Sequence, residues 1–140
     1  MENKIDTFIK QLSAAVEDFR SSLEIDLSTY SEKEADLLKN GQIQKFEFSI
    51  EILWKTLRVF LYEIHGIDIQ SPKGVIKKFF ELGYINYQTS DDLLRSIEIR
   101  NTLSHVYKKE AFQSMYREIL PFPEVFIKVL EVVQTEGRNL

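Results

Sequence analysis

The sequence has 140 residues, of which 44% are hydrophobic and 29% are charged, and it contains no cysteine. This length suits one domain, residues 1–140, and the composition is typical of a globular protein. The formal net charge of -4 argues against charge-driven binding to nucleic acid, and the lack of cysteine excludes disulfides and thiolate chemistry. Because no apolar run is long enough for a membrane span or a signal peptide, we expect a cytoplasmic protein.

The first two predicted helices are long and amphipathic. Apolar residues recur every three or four positions from about Lys4 to Leu23, which is typical of a helix with one buried face. A second helix is predicted from a capping box at Ser31 to Gly66, where glycine favours a left-handed cap. Because glycine is a poor helix former, we expect a kink or break near Gly41.

Two further helices are predicted in the middle of the chain. A short one begins after Ser71, with a proline in its first turn where a missing N–H does no harm, and it stops at Gly83. A fourth helix follows Thr89 or Ser90. It carries the densest group of polar and titratable side chains in the sequence.

The last helical segment begins near residue 110 and is interrupted by proline. Pro121 and Pro123 should break or sharply kink it, because proline lacks the N–H that a helix interior needs. Long and short helices joined by short connections predict an all-α protein, an antiparallel up-and-down bundle of four main helices plus one short helix.

The fourth helix predicts a buried polar stripe. On an ideal helix one sector of roughly 80° contains Leu93, Ile97, Arg100, Ser104 and Tyr107. Other apolar residues flank this sector, so the helix should have two packing partners. We expect the bundle core to be one and a second copy of the chain to be the other, which predicts a homodimer.

Arg100 and His105 are the candidate catalytic residues of this helix. A buried arginine needs a carboxylate, a phosphate or water as its partner, which we expect in a pocket at the dimer interface, the candidate site. Histidine can take a proton from a ribose 2′-OH, and arginine can hold the charge of the pentacovalent phosphate, so the pair suits RNA cleavage without a metal. The two residues lie roughly 140° apart on an ideal helix and converge only with help from the length of arginine, from a helix end near His105 or from a two-fold axis. The alternative is a structural hydrogen-bond network.

The same segment resembles a known family signature. Arg100-Asn101-x-x-Ser104-His105-x-Tyr107 is similar to the R-x4-6-H motif of the HEPN superfamily, in its branch of nucleotidyltransferase substrate-binding proteins related to HepT toxins. Similarity extends to the stretch from Ile43 to Leu57, to Ser71-Pro72 and to Leu82-Gly83, and so covers nearly the whole chain.

The resemblance implies a usually dimeric helical bundle encoded beside a minimal nucleotidyltransferase. In toxin-like members the ribonuclease residues would be Arg100 and His105, and the partner enzyme would modify Tyr107 to silence the activity. Asn101, Ser104 and Tyr107 would bind nucleotide or RNA. In the alternative, the bundle is a non-catalytic module that presents substrate to its partner. The chain lacks the motif of a nucleotidyltransferase, and we expect no cofactor and no metal.

Charged side chains also line one face of the second helix. Glu47, Glu51, Lys55 and Arg58 recur at helical spacing, and pairs such as Glu51 with Lys55 are common on exposed surfaces. The family resemblance favours a second interpretation, in which Glu51 or Lys55 lines the substrate pocket opposite Arg100.

Overall fold

Six helices form the fold, with no strand, in the part of the chain that the computed structural model describes, residues 3–105 and 109–137. Their bounds are α1 Lys4–Ser22, α2 Glu32–His65, α3 Pro72–Glu81, α4 Tyr87–Leu103, α5 Lys109–Ile119 and α6 Phe122–Gly137, with a short 3-10 turn at Leu27–Thr29. The predicted all-α bundle is confirmed. None of these helices is both long and apolar enough to cross a membrane.

Most helix ends lie where the sequence predicts them. Ser31 and Glu34 form the predicted capping box at the start of α2, and Gly66 closes that helix with a φ of 66°. The Ser71 side chain accepts a hydrogen bond from the Gly74 N–H at the start of α3. α4 begins slightly earlier than predicted, because Asn86 caps it by accepting from the Thr89 N–H.

Of the kink or break expected near Gly41, the break is absent. α2 runs without interruption over 34 residues. Tertiary packing explains why, because Gln42, Ile43 and Phe46 directly after the glycine are buried against the rest of the bundle. The break predicted at Pro121 and Pro123 is confirmed, since α5 ends at Ile119 and α6 starts at Phe122.

An aromatic cluster joins α1, α2 and α6. The rings of Phe46 and Phe19 meet edge to face with centroids 5.9 Å apart, and Phe46 stacks on Phe126 at 6.0 Å. Phe122 completes the cluster at 5.6 Å from Phe46. Beside it, the buried Gln42 accepts a hydrogen bond from the Tyr116 hydroxyl and donates one to the Ser22 carbonyl. These contacts fix α2 as the central helix of the bundle.

The chain itself covers most of the apolar surface of α4. Leu93, Ile97 and Ile99 are buried, and α4 contacts α2, α3, α5 and α6. The second packing partner expected for this helix is therefore supplied within the chain, so the burial of α4 does not by itself call for a second subunit. Both halves of the last helical segment, α5 and α6, reach α4.

Candidate functional site

The last turn of α4 brings Arg100 against α2. Ile97 and Ile99, which precede it, are buried and hold this turn against the core. Arg100 Nη2 lies 2.7 Å from Glu51 Oε2, and the two side chains are 34% and 25% exposed. Of the three partners expected for this arginine, the structure has the carboxylate. The ion pair is partly shielded from water but can be reached from solvent.

Glu51 is held by two cations and one indole. Lys55 Nζ lies 3.1 Å from Glu51 Oε1, and Trp54 Nε1 donates to Glu51 Oε2 at 3.2 Å. Burial alone would raise the pKa of the Glu51 carboxyl, but the hydrogen bonds from Trp54 and Lys55 and the positive charges of Arg100 and Lys55 outweigh it and lower that pKa. Glu51 is therefore ionised at neutral pH and lies between two cations.

Glu47 lies one turn before Glu51 on the same side of α2. Burial raises the pKa of the Glu47 carboxyl, and the nearby charge of Arg100 only partly offsets that effect. Two carboxylates of α2 are thus in electrostatic contact with one guanidinium. A phosphate entering this site would compete with Glu51 for Arg100, and the guanidinium has further N–H donors with which to bind it.

The C-terminal end of α4 presents three predicted site residues to solvent. Asn101, Ser104 and His105 are all exposed. The Ser104 hydroxyl donates to the Asn101 carbonyl at 2.7 Å, and the His105 N–H donates to the Thr102 carbonyl at 2.9 Å. Ser104 does not lie in the packed stripe as expected, because α4 ends at Leu103.

The structure brings some of the predicted site residues together and leaves others apart. Arg100, Glu51 and Lys55 form one ion-pair cluster. Within residues 3–105 and 109–137, no hydrogen bond or ion pair joins the His105 ring to Arg100. Tyr107 lies outside the described residues. The same part of the chain contains no group of three or more acidic or histidine side chains placed to hold a metal ion.

Two residues of this cluster were not predicted to belong to it. The ring of Trp54 is buried, and its N–H also orients Glu51. The i, i+3 spacing of a glutamate and a tryptophan was the available signal. Glu47 was grouped with the charged face of α2, and its partial burial could not be read from that pattern.

Comparison with known proteins identifies relatives over most of the chain. The family described as "Nucleotidyltransferase substrate binding protein like" matches residues 6–135. Among curated proteins no relative is found.

Two solved structures share the fold. A protein of Thermus thermophilus has 24% sequence identity and a TM-score of 0.74, over 86% of this chain and 96% of that one. The tri-AMPylated HEPN toxin of Shewanella oneidensis, in complex with MNT antitoxin, has 14% identity and a TM-score of 0.75, over 96% of this chain and 99% of that one. The chain therefore shares its fold with these two proteins.

Proposed function

Because the chain belongs to the nucleotidyltransferase substrate binding protein-like family, we propose that it is one subunit of a two-gene system. The other component is a minimal nucleotidyltransferase, and this chain binds the nucleotide or RNA on which the system acts. The structurally similar HEPN toxin from Shewanella oneidensis, which is AMPylated and was solved with its MNT antitoxin, supports this proposal by analogy of fold.

The ion pair between Arg100 and Glu51 carries the proposal. It places a partly exposed guanidinium on the surface, with Lys55 on the other side of the same carboxylate. An arginine fork binds phosphate bidentately, and a neighbouring lysine adds charge. Glu51 keeps both cations in place before the ligand arrives, which reduces the conformational entropy lost on binding.

In the catalytic form of this proposal, the subunit is a metal-independent ribonuclease. His105 takes the proton from the ribose 2′-OH, the O2′–P bond forms as the P–O5′ bond breaks, water protonates the departing 5′ oxygen, and the resulting hydroxide takes the proton back from the His105 imidazolium. Arg100 stabilises the charge of the pentacovalent phosphate. Asn101 and Ser104, on the same exposed end of α4, bind the flanking phosphate or ribose groups.

A cleavage assay tests this form directly. Purified protein is incubated with RNA in the presence of a chelator, beside Arg100→Ala, His105→Ala and the control Arg95→Ala. Arg95 is an exposed arginine of the same helix, paired with Glu118 at 2.6 Å. Cleavage by the wild type and the control, but by neither of the other two, supports the ribonuclease. A wild type as inactive as the variants contradicts it.

A homodimer is part of the proposal, because among the described contacts of one chain no hydrogen bond or ion pair joins His105 to Arg100. If each site takes Arg100 from one subunit and His105 from the other, mixing Arg100→Ala with His105→Ala restores activity. Random pairing in a symmetric dimer leaves about a quarter of the sites intact. No recovery in verified mixed dimers would contradict a shared site, and a monomeric wild type would contradict the dimer.

Tyr107 is the proposed site of nucleotidylation by the partner enzyme. Its place in the motif, two residues after His105, supports this role. After co-expression with the partner, mass spectrometry of the intact protein and its peptides should find nucleotide mass on Tyr107 and none in Tyr107→Phe. An unmodified Tyr107 beside an active partner would contradict the assignment.

The second candidate function is a non-catalytic module that presents substrate to the nucleotidyltransferase. The exposure of His105 favours it, because among the side chains that the structure describes, those of residues 3–105 and 112–137, none is hydrogen-bonded to the imidazole to orient it as a general base. This alternative predicts RNA or nucleotide binding that depends on Arg100 and no cleavage under any condition.

A further inference from the structure

A cleft of about 380 Å³ lies where the start of α1 meets the C-terminal half of α2. Its cations are Lys4 at the first position of α1, and Lys55 and Arg58 on α2. The volume is within the range of pockets that hold small ligands. Three cations around one opening favour an anionic ligand.

The cleft also has an apolar wall with an exposed aromatic ring. Val59 is buried and Phe8 is half-buried, whereas the Tyr62 side chain is 58% exposed. On α2, Tyr62 follows Val59 by three residues and Arg58 by four, so the ring and the guanidinium share one helix face. A ligand with a planar ring and an anionic group fits this combination.

Two carboxylates complete the lining. Asp68 lies 4.0 Å from Arg58, the outer limit of an ion pair, so the guanidinium is only loosely held. Glu63 lines the same opening. Carboxylates at this position would repel a bare polyanion but accept hydrogen bonds from ribose hydroxyls, as acidic residues do in other nucleotide sites.

We propose that this cleft binds a nucleoside phosphate, with the phosphates on Lys4 and Arg58, the base on Tyr62 and the ribose near Glu63 and Asp68. Lys55 links the cleft to the Arg100 site, because it lines the cleft and also pairs with Glu51 at 3.1 Å. The inference rests on the proposed function, since a nucleotidyltransferase partner consumes a nucleoside triphosphate. It assigns that nucleotide a site separate from Arg100.

Isothermal titration calorimetry with ATP, adenosine and inorganic phosphate tests the proposal on the full chain. ATP should bind more tightly than either fragment. Arg58→Ala and Tyr62→Ala should each weaken ATP binding about tenfold or more, as expected for loss of a charge-assisted contact or a stacked base. Matched controls are Arg95→Ala and Tyr87→Ala, an exposed arginine and an exposed tyrosine that do not line this cleft.

The outcomes separate this inference from the proposed function. The inference is overturned if the wild type does not bind ATP, if phosphate binds as tightly as ATP, or if both cleft variants bind like their controls. If ATP binding is absent but RNA binding or cleavage still depends on Arg100, only the cleft assignment fails. If ATP binds in the cleft and Arg100→Ala changes nothing in either RNA assay, the proposed role of Arg100 fails instead.

Discussion

Arg100 Nη2 on α4 lies 2.7 Å from Glu51 Oε2 on α2, which makes a residue of the predicted motif the partner of a carboxylate 49 positions earlier in the chain. We expect a double-mutant cycle of Glu51→Ala and Arg100→Ala to give a coupling energy of about 0.5–1 kcal/mol, discounted for the exposure of the guanidinium. Urea unfolding at neutral pH measures it. The more exposed pair of Arg95 and Glu118 is the control and should have a smaller coupling energy. If the coupling energy of Arg100 with Glu51 is no larger than that of the control, the ion pair is not shielded from water.

The two glutamates beside Arg100 should respond to pH with opposite signs. The lowered pKa of Glu51 means that its contribution to stability is present above the ordinary glutamate pKa of about 4.3 and is lost as pH falls through the folded-state pKa. The wild type should therefore exceed Glu51→Gln in stability at pH 7, with the difference shrinking in acid. Burial raises the pKa of Glu47, so the wild type loses stability as pH rises and this carboxyl ionises. Glu47→Gln lacks that loss, and its stability relative to the wild type should increase with pH.

Urea unfolding of the three proteins across this pH range measures both effects. The same sign for both variants, or a constant difference from the wild type at all pH values, would refute the assignment of charge states.

The aromatic cluster should dominate the stability of the bundle. Phe46 is fully buried among three other phenylalanines, so Phe46→Ala should lower the free energy of unfolding by about 3–5 kcal/mol. Phe48, two positions later, is 57% exposed, and Phe48→Ala should change it by less than about 1 kcal/mol. Denaturant unfolding compares them, and equal losses would be inconsistent with the positions of the two rings.

Substitution by alanine should have opposite effects on stability at Gly41, within α2, and at Gly66, the residue that caps it. A Cβ at Gly41 meets nothing within 4 Å, and the helix is continuous there, so Gly41→Ala should raise stability by about 0.5–1 kcal/mol. Gly66 has a φ of 66°, so Gly66→Ala should cost about 1 kcal/mol. Thermal unfolding ranks the variants, and a destabilising Gly41→Ala would contradict a regular helix with open space at this position.

Local patterns predicted most of the fold because caps and prolines act over a few residues. Ser31, Gly66 and Ser71 cap their helices as expected, and Pro121 lies at the break between α5 and α6. The resemblance to nucleotidyltransferase substrate-binding proteins is confirmed by the family match, and the fold is shared with a HEPN toxin. Gly41 shows the limit of such patterns, because tertiary packing overrides the poor helix propensity of glycine.

The candidate site was harder to predict because it joins two helices. Arg100 and Glu51 are far apart in sequence, and helical periodicity says which face each occupies but not which faces meet. The i, i+4 spacing predicted the ion pair of Glu51 with Lys55. The position of Arg100 opposite these two residues was expected only from the family resemblance. The end of α4 at Leu103 also exposes Ser104, which an ideal helix would have placed in the packed stripe.

Binding of a fluorescently labelled RNA oligomer, followed by anisotropy, tests the central claim most directly, because it applies whether or not the protein cleaves RNA. A chelator and His105→Ala as the background keep the RNA intact. Adding Arg100→Ala should weaken binding about tenfold or more, the effect of losing a charge-assisted phosphate contact. Adding Arg95→Ala should change it little. Equal affinities with and without Arg100 would contradict the assignment of this ion-pair cluster as the nucleic-acid site.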